Sequence, residues 1–316
     1  MRISVIICTY NRCQTLPKAL ESVAALKVSE LIEWEVLVVD NNSSDRTREV
    51  VEDFCYRYPG RFRYVLQPLQ GKSYALNEGI REARGDVLAF TDDDVIVEPV
   101  WLQNLTAALH DGKWAGAGGR VLPERMFLSP RWLAVDSRHA SGPLGLFDRG
   151  PEAGRLAESP IGNNMAFRKE VFDKHGGFRT DLGPRPGNEI RNEDTEFGSR
   201  LLGAGERFRY EPSAIVYHAI PENRVKKEYF LNWWFDKART EIRQDGIPPD
   251  AVCFAGVPLY LLSRLIAWTW RWVSAIAPDT RFESKLKLWQ VTGYIVECYQ
   301  LSSSARTVKR NCTARN

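Results

Sequence analysis

An α/β fold, with a largely parallel sheet covered by helices on both faces, is predicted by three features of this 316-residue sequence. Short continuous apolar runs, such as Ile3–Cys8 and Val36–Val39, read as strands buried on both sides. Segments with apolar residues at helical spacing separate them, so strand and helix alternate through the first hundred residues. After about residue 225 the pattern turns helical nearly to the end, which adds a helical C-terminal extension.

Ile3–Cys8 is the first strand. Leu16, Leu20, Val23 and Leu26 then follow at helical spacing, with Thr15 as cap and Pro17 in the first turn. Val36–Val39 is a second strand ending at Asp40. Ser44 or Asp45 can cap the next helix, whose apolar face is Val50, Val51, Phe54 and Tyr58. Phe62–Leu66 is a third strand, Ser73–Ala83 a helix and Val87–Thr91 a fourth strand. The glycine-rich stretch 115–120 leads into another strand. Residues 123–160, rich in Pro and Gly, read as an irregular insertion. Asn192–Leu202 is a helix with Phe197, Leu201 and Leu202 inward, and Ala214–Tyr217 a short strand ending at His218. Ser304–Asn316 is polar and expected to fray. The expected division is at residue 220, between the α/β part and the extension.

Hydrophobic residues at 44% and charged residues at 26% exclude a disordered chain or a fibre, and no repeat period supports a solenoid or propeller. The six cysteines (8, 13, 55, 253, 298 and 312) have neither CxxC nor zinc spacing, which fits a reduced, cytoplasmic compartment. The first apolar run is too short for the core of a signal peptide. The net charge of +3 conceals an asymmetry. Residues 1–220 carry 28 Lys and Arg against 31 Asp and Glu, while residues 221–316 carry 15 against nine. The same tail holds six of the ten tryptophans. A basic, aromatic tail suits either stacked bases or an anionic membrane surface.

Residues 251–277 are long enough to cross a bilayer, but Arg264, Arg271 and Pro258 oppose a span. An amphipathic segment in the interface is expected instead, on the inner face of the plasma membrane. Its arginines would face headgroups, and Leu261, Leu265, Trp268 and Trp272 would face acyl chains. Lys226, Lys227, Arg281, Lys285 and Lys287 would add attraction to anionic lipid. The competing reading is an ordinary helical pair packed on the rest of the protein.

In parallel sheets ligands bind beyond the carboxyl ends of the strands, which singles out 9–12, 40–42 and 92–94. On an extended chain Asp92 and Asp94 would share a face and suit a hard divalent cation; a solvated acidic turn is the alternative. Asp40 can accept from a ribose hydroxyl or a base N–H, or can simply make an Asx turn. Glu193 and Asp194 open a helix, as dipole partners or as a general base. His218 is a structural imidazole or a nitrogen ligand in an oxygen-rich site.

Taken in order, TYNR (9–12), VVDNNSSDRT (38–47), GKSYALNEGIREARGD (71–86), FTDDD (90–94), GNNMAFRKEVFDKHGGF (162–178), NEDTEFGSRL (192–201) and YEPSAIVYH (210–218) closely resemble the family 2 glycosyltransferases. The resemblance spans about residues 1–245. It implies a GT-A fold, Rossmann-like, with a nucleotide-binding part at about 1–120 and an acceptor part at about 121–220. It implies Thr9, Tyr10 and Arg12 at the nucleotide base, Asp40 at base or ribose, and Lys72 and Asp93 near the nucleotide. Asp92 and Asp94 match the Asp-x-Asp motif, the first at ribose or sugar and the last at a metal that Asp92 and His218 help to hold. Asn163 and Asn164 match the loop beside donor sugar and acceptor, and Asp194, with Glu193 beside it, matches the catalytic base. A divalent cation (Mn²⁺ or Mg²⁺), a nucleotide-sugar donor with UDP foremost, and a glycan or lipid-linked acceptor are thereby implied, and no nucleic acid. The Gln-x-x-Arg-Trp motif of the processive synthases is missing at the expected place, which favours single addition.

A nicotinamide dehydrogenase would need GxGxxG where CTYNRC stands, and GxxxxGK[ST] is also absent. A nucleotidyltransferase would need a glycine-rich first loop. A glycosidase could pair Asp94 with Glu193 or Asp194 but would leave the strand ends unexplained. A catalytically silent carbohydrate-binding protein on the same fold is the alternative from another class; the intact acidic motif argues against it.

Overall fold

The computed structural model describes residues 1–125, 130, 132–133 and 138–313, of which 138–139 and 304–313 are described by backbone alone. The chain separates into two compact units. One comprises Met1–Phe127, Gly145–Asn188 and Glu193–Ile220; the other comprises Leu128–Leu144, Glu189–Asn192 and Pro221–Asn316. Segments 128–144 and 189–192, expected within the α/β part, therefore belong with the helical unit.

The elements begin with β1 (Arg2–Thr9), α1 (Leu16–Ala24), β2 (Glu33–Asp40), α2 (Thr47–Arg57), β3 (Phe62–Leu66), α3 (Lys72–Glu82) and β4 (Val87–Asp92). Next come β5 (Val95–Val97), α4 (Trp101–Thr106), β6 (Gly116–Pro123), α5 (Arg138–Leu144), β7 (Gly154–Leu156), β8 (Met165–Arg168) and α6 (Lys169–His175). The chain continues through α7 (Glu193–Gly203), β9 (Phe208–His218), α8 (Lys227–Asp245), β10 (Cys253–Phe254), β11 (Val257–Pro258), α9 (Leu259–Ser274) and α10 (Pro278–Thr313).

Within the first unit the described strands form one mixed sheet in the order β3-β2-β1-β4-β8-β6-β9-β5, with β7 on β9. The first four run parallel, and β8 then pairs antiparallel with both β4 and β6. The interior residues of β1 and β2 are buried on alternate faces, Val5 and Val38 in one core layer, Ile6 and Leu37 in the other. That two-sided burial is why their sequences are continuous apolar runs. One layer is an aromatic cluster in which Phe172 stacks on Phe197 at 4.8 Å.

Most expected elements form, with informative differences. Thr15 makes no side-chain capping bond to α1. Asp45 serves α2, accepting from Thr47 N–H at 2.9 Å. β9 is much longer than Ala214–Tyr217, because β6 and β7 flank Phe208–Tyr210 and supply hydrogen bonds that the polar sequence there does not advertise. The β6–β9 register then slips: Gly119 faces Glu211, while Arg120 faces Ile215. At that slip a Cβ on Gly119 would lie 2.0 Å from the Ala214 carbonyl oxygen, so the close approach requires glycine. Of the expected insertion 123–160, residues 126–129, 131 and 134–137 lie outside the described ones; the rest includes α5 and β7. α10 continues to Thr313, through most of the segment expected to fray, and 314–316 are not described.

In the second unit α8 and α9 pack on α10. Glu297 is fully buried and accepts from Arg239 Nε at 2.9 Å and from Arg243 Nε. The α9 expectation needs correction. Leu261 is buried against Cys298 and Ile242, and Leu265, Trp268 and Trp272 are half-buried, so the face assigned to acyl chains is turned largely inward. Lys285 lies over the Trp272 and Trp289 rings, Lys287 over Trp234, and Lys227 over Phe282. Those ammonium groups thus pack on aromatic faces of their own unit. No helix among the described residues is long and apolar enough to cross a membrane.

Candidate active site

The parallel register brings the ends of three strands to one edge, within a residue of each other. Thr9 pairs with Asp40, and Cys8 pairs with Asp92. The expected carboxyl-edge residues therefore lie together within the first unit, where strands stop and peptide groups lose their ladder partners.

Asp40 is 2% exposed. It accepts from Tyr64 Oη at 2.9 Å and from Ser43 N–H at 2.9 Å. Burial, and then the bond to Asp40, push the Tyr64 phenol up to about 12, so it remains a donor at neutral pH. Asn41 accepts from Gly71 N–H at 2.7 Å and donates to the carbonyls of Gln67 and Leu69. This amide delivers the start of α3, and with it Lys72. Asn11, at φ +50°, accepts from Ser44 N–H at 2.8 Å, while Arg12 N–H donates to Thr47 Oγ1 at 3.0 Å. The turn carrying Thr9, Tyr10 and Arg12 is thus tied to the one after Asp40.

The three aspartates do not act as a simple strand pair. Asp92 ends β4, but Asp93 and Asp94 form the turn into β5, so the extended-chain argument for a shared face does not apply. Each takes its own partner. Lys72 Nζ donates to Asp92 at 2.7 Å and lies 3.7 Å from Glu193. Arg12 Nε is 4.0 Å from Asp93, whose carboxyl is pushed up to about 7 by burial and by the charge of Asp94. Asp94 is 3.8 Å from His218 Nε2.

Lys72 therefore joins the ends of β4, α3 and α7. Burial alone would lower its pKa, but Asp92 and Glu193 outweigh that and raise it well above the ordinary lysine value. Burial pushes the Glu193 carboxyl upward against the pull of Lys72. Asp194 is more open. Its carboxylate accepts from Gly162 N–H at 2.7 Å and from Thr195 N–H at 2.7 Å, which aims it beside the 162–164 loop.

The two asparagines of that loop part company. Asn163 is 4% exposed, and its Oδ1 has no hydrogen-bond partner among the described residues. Asn164 is fully buried and its amide is occupied inside the sheet. It accepts from Trp101 Nε1 at 2.9 Å and donates to the carbonyls of Arg120 and Ala214 at 2.8 Å each. Ala214 falls among the residues skipped by the β6–β9 slip and Arg120 borders it, so the amide serves the backbone where the ladder is interrupted. His218 ends β9 at 4% exposure under Gly145, whose φ of +65° brings its backbone close enough that a Cβ would meet the ring at 3.0 Å.

A cation can be tested against these donors. Asp94 and His218 offer a carboxylate and an imidazole already close together, a set that suits Mn²⁺. Among the described residues no three His, Cys, Asp or Glu side chains are gathered as a complete cluster. An ion would therefore need donors from a ligand such as a diphosphate.

The model of the family described as Glycosyl transferase family 2 matches residues 4–176, more than half of the chain. The chain belongs to glycosyltransferase family 2. This glycosyltransferase is 29% identical over 246 residues to the succinoglycan biosynthesis protein ExoM of Rhizobium meliloti, covering 77% of this chain and 75% of the relative. It is 28% identical over 241 residues to the glucosyl-dolichyl phosphate glucuronosyltransferase of Haloferax volcanii, covering 74% and 75%. In fold it is similar to the mannosyltransferase PcManGT of Pyrobaculum calidifontis, a structure in complex with GDP-Man and Mn²⁺. The TM-score is 0.56 at 18% identity, covering 99% of this chain and 80% of that one. The glycosyltransferase thus has the expected GT-A architecture, a mixed α/β sheet with a helical C-terminal part.

Three residues of the site escaped the sequence reading. Tyr64 looked like one more strand residue, and only β2–β3 pairing reveals its reach to Asp40. Asn41 was inside a quoted motif, but its service to Gly71 depends on a turn 30 residues away. Gly145 sat in a segment read only as turn-forming.

Proposed function

We propose that this glycosyltransferase moves one sugar per encounter from a nucleoside diphosphate donor, UDP foremost, to a hydroxyl of a glycan or lipid-linked acceptor, with inversion, in cell-envelope or exopolysaccharide synthesis. The observation that carries the reading is the gathering of the strand ends Thr9, Asp40 and Asp92 at one sheet edge, where Thr9 pairs with Asp40 and Cys8 with Asp92, with Asp94 and His218 3.8 Å apart in the same unit.

In this reading the base and ribose lie along Thr9, Tyr10, Arg12 and Asp40. Tyr64 and Ser43 hold the Asp40 carboxylate in place. Lys72 fixes Asp92 toward the ribose or sugar, so that Asp92 contributes position with much of its charge neutralised. Asp94 and His218 would hold Mn²⁺ or Mg²⁺, which supplies charge neutralisation to the departing diphosphate. Asp194 accepts the acceptor hydroxyl's proton as that oxygen attacks the anomeric carbon, opposite to the departing diphosphate. A single displacement of this kind inverts the anomeric centre. Asn163 Oδ1, buried and awaiting a donor, is suited to a sugar hydroxyl.

A panel of UDP-, GDP- and dTDP-sugars, with released nucleotide read by mass spectrometry with and without Mn²⁺ or Mg²⁺, tests this. Release from one nucleotide class in a cation-dependent manner is expected. Sugar binding without transfer or hydrolysis, under any cation, would replace the reading with a catalytically silent carbohydrate-binding protein.

A further inference from the structure

The chain passes from the helical unit into the α/β unit at the Asn192–Glu193 peptide, just before Asp194. At about 3.8 Å per residue, the Cα atoms of Asn192 and Asp194 lie no more than about 7 Å apart. The residues ahead of that joint are held by one face of α8. Lys237, Thr240 and Gln244 stand there at the helical spacing i, i+3 and i+7. Thr240 is fully buried; its Oγ1 accepts from Arg191 N–H at 3.0 Å and donates to the Asp236 carbonyl. Asn192 is 6% exposed, accepts from Lys237 Nζ at 2.6 Å and donates to Gln244 Oε1 at 2.9 Å. All of these bonds lie within the helical unit.

An asparagine ahead of a helix ordinarily turns its side chain onto that helix's own first N–H groups. Asn192 instead gives both ends of its amide to α8, and its backbone is left-handed, at φ +69°. A non-glycine residue keeps that conformation where its surroundings fix it. The bond from the Lys237 ammonium is charge-assisted, the stronger kind. In the α/β unit the Asp194 carboxylate is met from outside its own helix by Gly162 N–H. Gly162 thus aims the carboxylate, while the backbone that carries it arrives from α8.

We infer that Asn192, Lys237 and Gln244 are positioning residues for the transfer reaction: α8 fixes the backbone entering α7, and so the placement of the Asp194 carboxylate against the attacking hydroxyl. This rests on the reading of Asp194 as the general base. It gives the C-terminal extension a part in catalysis. Misplacing a catalytic group by about 1 Å can cost on the order of 10²-fold. Loosening the clamp therefore lowers turnover and leaves nucleotide binding alone.

The test uses the full chain with water as the acceptor, which needs no identified glycan. Hydrolysis of the sugar nucleotide that reacts in the donor panel gives kcat and KM. Calorimetry with the matching nucleoside diphosphate and Mn²⁺ gives nucleotide affinity. Asn192→Gly keeps the left-handed backbone and removes the amide, and Lys237→Met removes the ammonium. Each should lower kcat by about tenfold or more, with KM and nucleotide affinity within about twofold of wild type; Lys237→Arg should restore most of the loss. In an Asp194→Asn background the same changes should cost less than about twofold, since the group they place is gone. Hydrogen exchange by mass spectrometry should rise over 189–197 and stay unchanged over 72–82. Wild-type kcat in both variants, equal losses in the two backgrounds, a loss matched by nucleotide affinity, or unchanged exchange over 189–197 would overturn the inference and leave Asp194 as the base. Absence of wild-type hydrolysis, or unchanged hydrolysis in Asp194→Asn, would remove the base itself and the inference with it. If circular dichroism shows Lys237→Met unfolded, Asn192→Gly decides.

Discussion

Asn164→Leu separates two roles for an asparagine that sequence places beside the sugar. The side chain is fully buried and holds three hydrogen bonds. Leucine is close in size but leaves the Trp101 indole N–H and the Ala214 carbonyl buried and unpaired. The Arg120 carbonyl is in a part-buried bond and is left out of the count. Two stranded groups at about 1–3 kcal/mol each give a loss of about 2–6 kcal/mol. That is a large share of a typical domain stability of roughly 5–15 kcal/mol. Urea denaturation followed by far-ultraviolet circular dichroism measures the loss, and tryptophan fluorescence should report loosening around Trp101. Asn164→Asp should be no better, since a carboxylate cannot donate to two carbonyls. The reasoning is refuted if Asn164→Leu costs less than about 1 kcal/mol while sugar transfer disappears, which would make Asn164 a sugar contact.

Asp194→Asn should leave donor binding intact and cut transfer by roughly 10²–10⁴-fold in single-turnover assays, with a smaller loss for Glu193→Gln. Chelation should abolish transfer, and Asp94→Ala should weaken cation-dependent UDP binding by calorimetry, with a partial loss for His218→Ala. Tyr64→Phe removes the 2.9 Å bond to Asp40 and should weaken nucleotide binding about five-fold, the equivalent of about 1 kcal/mol. Glu35 reports on acid stability. Burial alone would raise its pKa, but bonds from Arg63, Arg84 N–H and Ser4 outweigh that and lower it. Its contribution is therefore present above the unfolded carboxyl pKa of about 4.3 and lost as pH falls through the depressed folded value. Glu35→Gln should be less stable than wild type at pH 7, with the gap closing toward pH 3 in thermal melts.

The alternating core and its functional edge were readable in the chain because their causes are local. β1, β2 and β4 are buried on both faces, so their sequences are nearly continuous apolar runs; Ser4 and Glu35, near the strand starts, are tolerated because they bond to each other, and the other polar residues gather where the strands stop. Thr9, Asp40 and Asp92 are those stops. What tertiary structure alone decided were partnerships between distant segments. Asp92 and Asp94 are two residues apart, yet the turn at Asp93 and Asp94 sends one to Lys72 and the other to His218. Asn163 and Asn164 are adjacent and alike in composition. The second amide is taken up by the carbonyls of Arg120 and Ala214 at the β6–β9 slip, while Asn163 Oδ1 has no partner among the described residues. On α9 apolar residues cover well over half of the circumference, so periodicity could not tell the packed face from the open one. Packing against α10 turned Leu261 inward and left Ile266 and Trp270 outside, because burial depends on which neighbour the fold brings up and not on hydrophobicity alone.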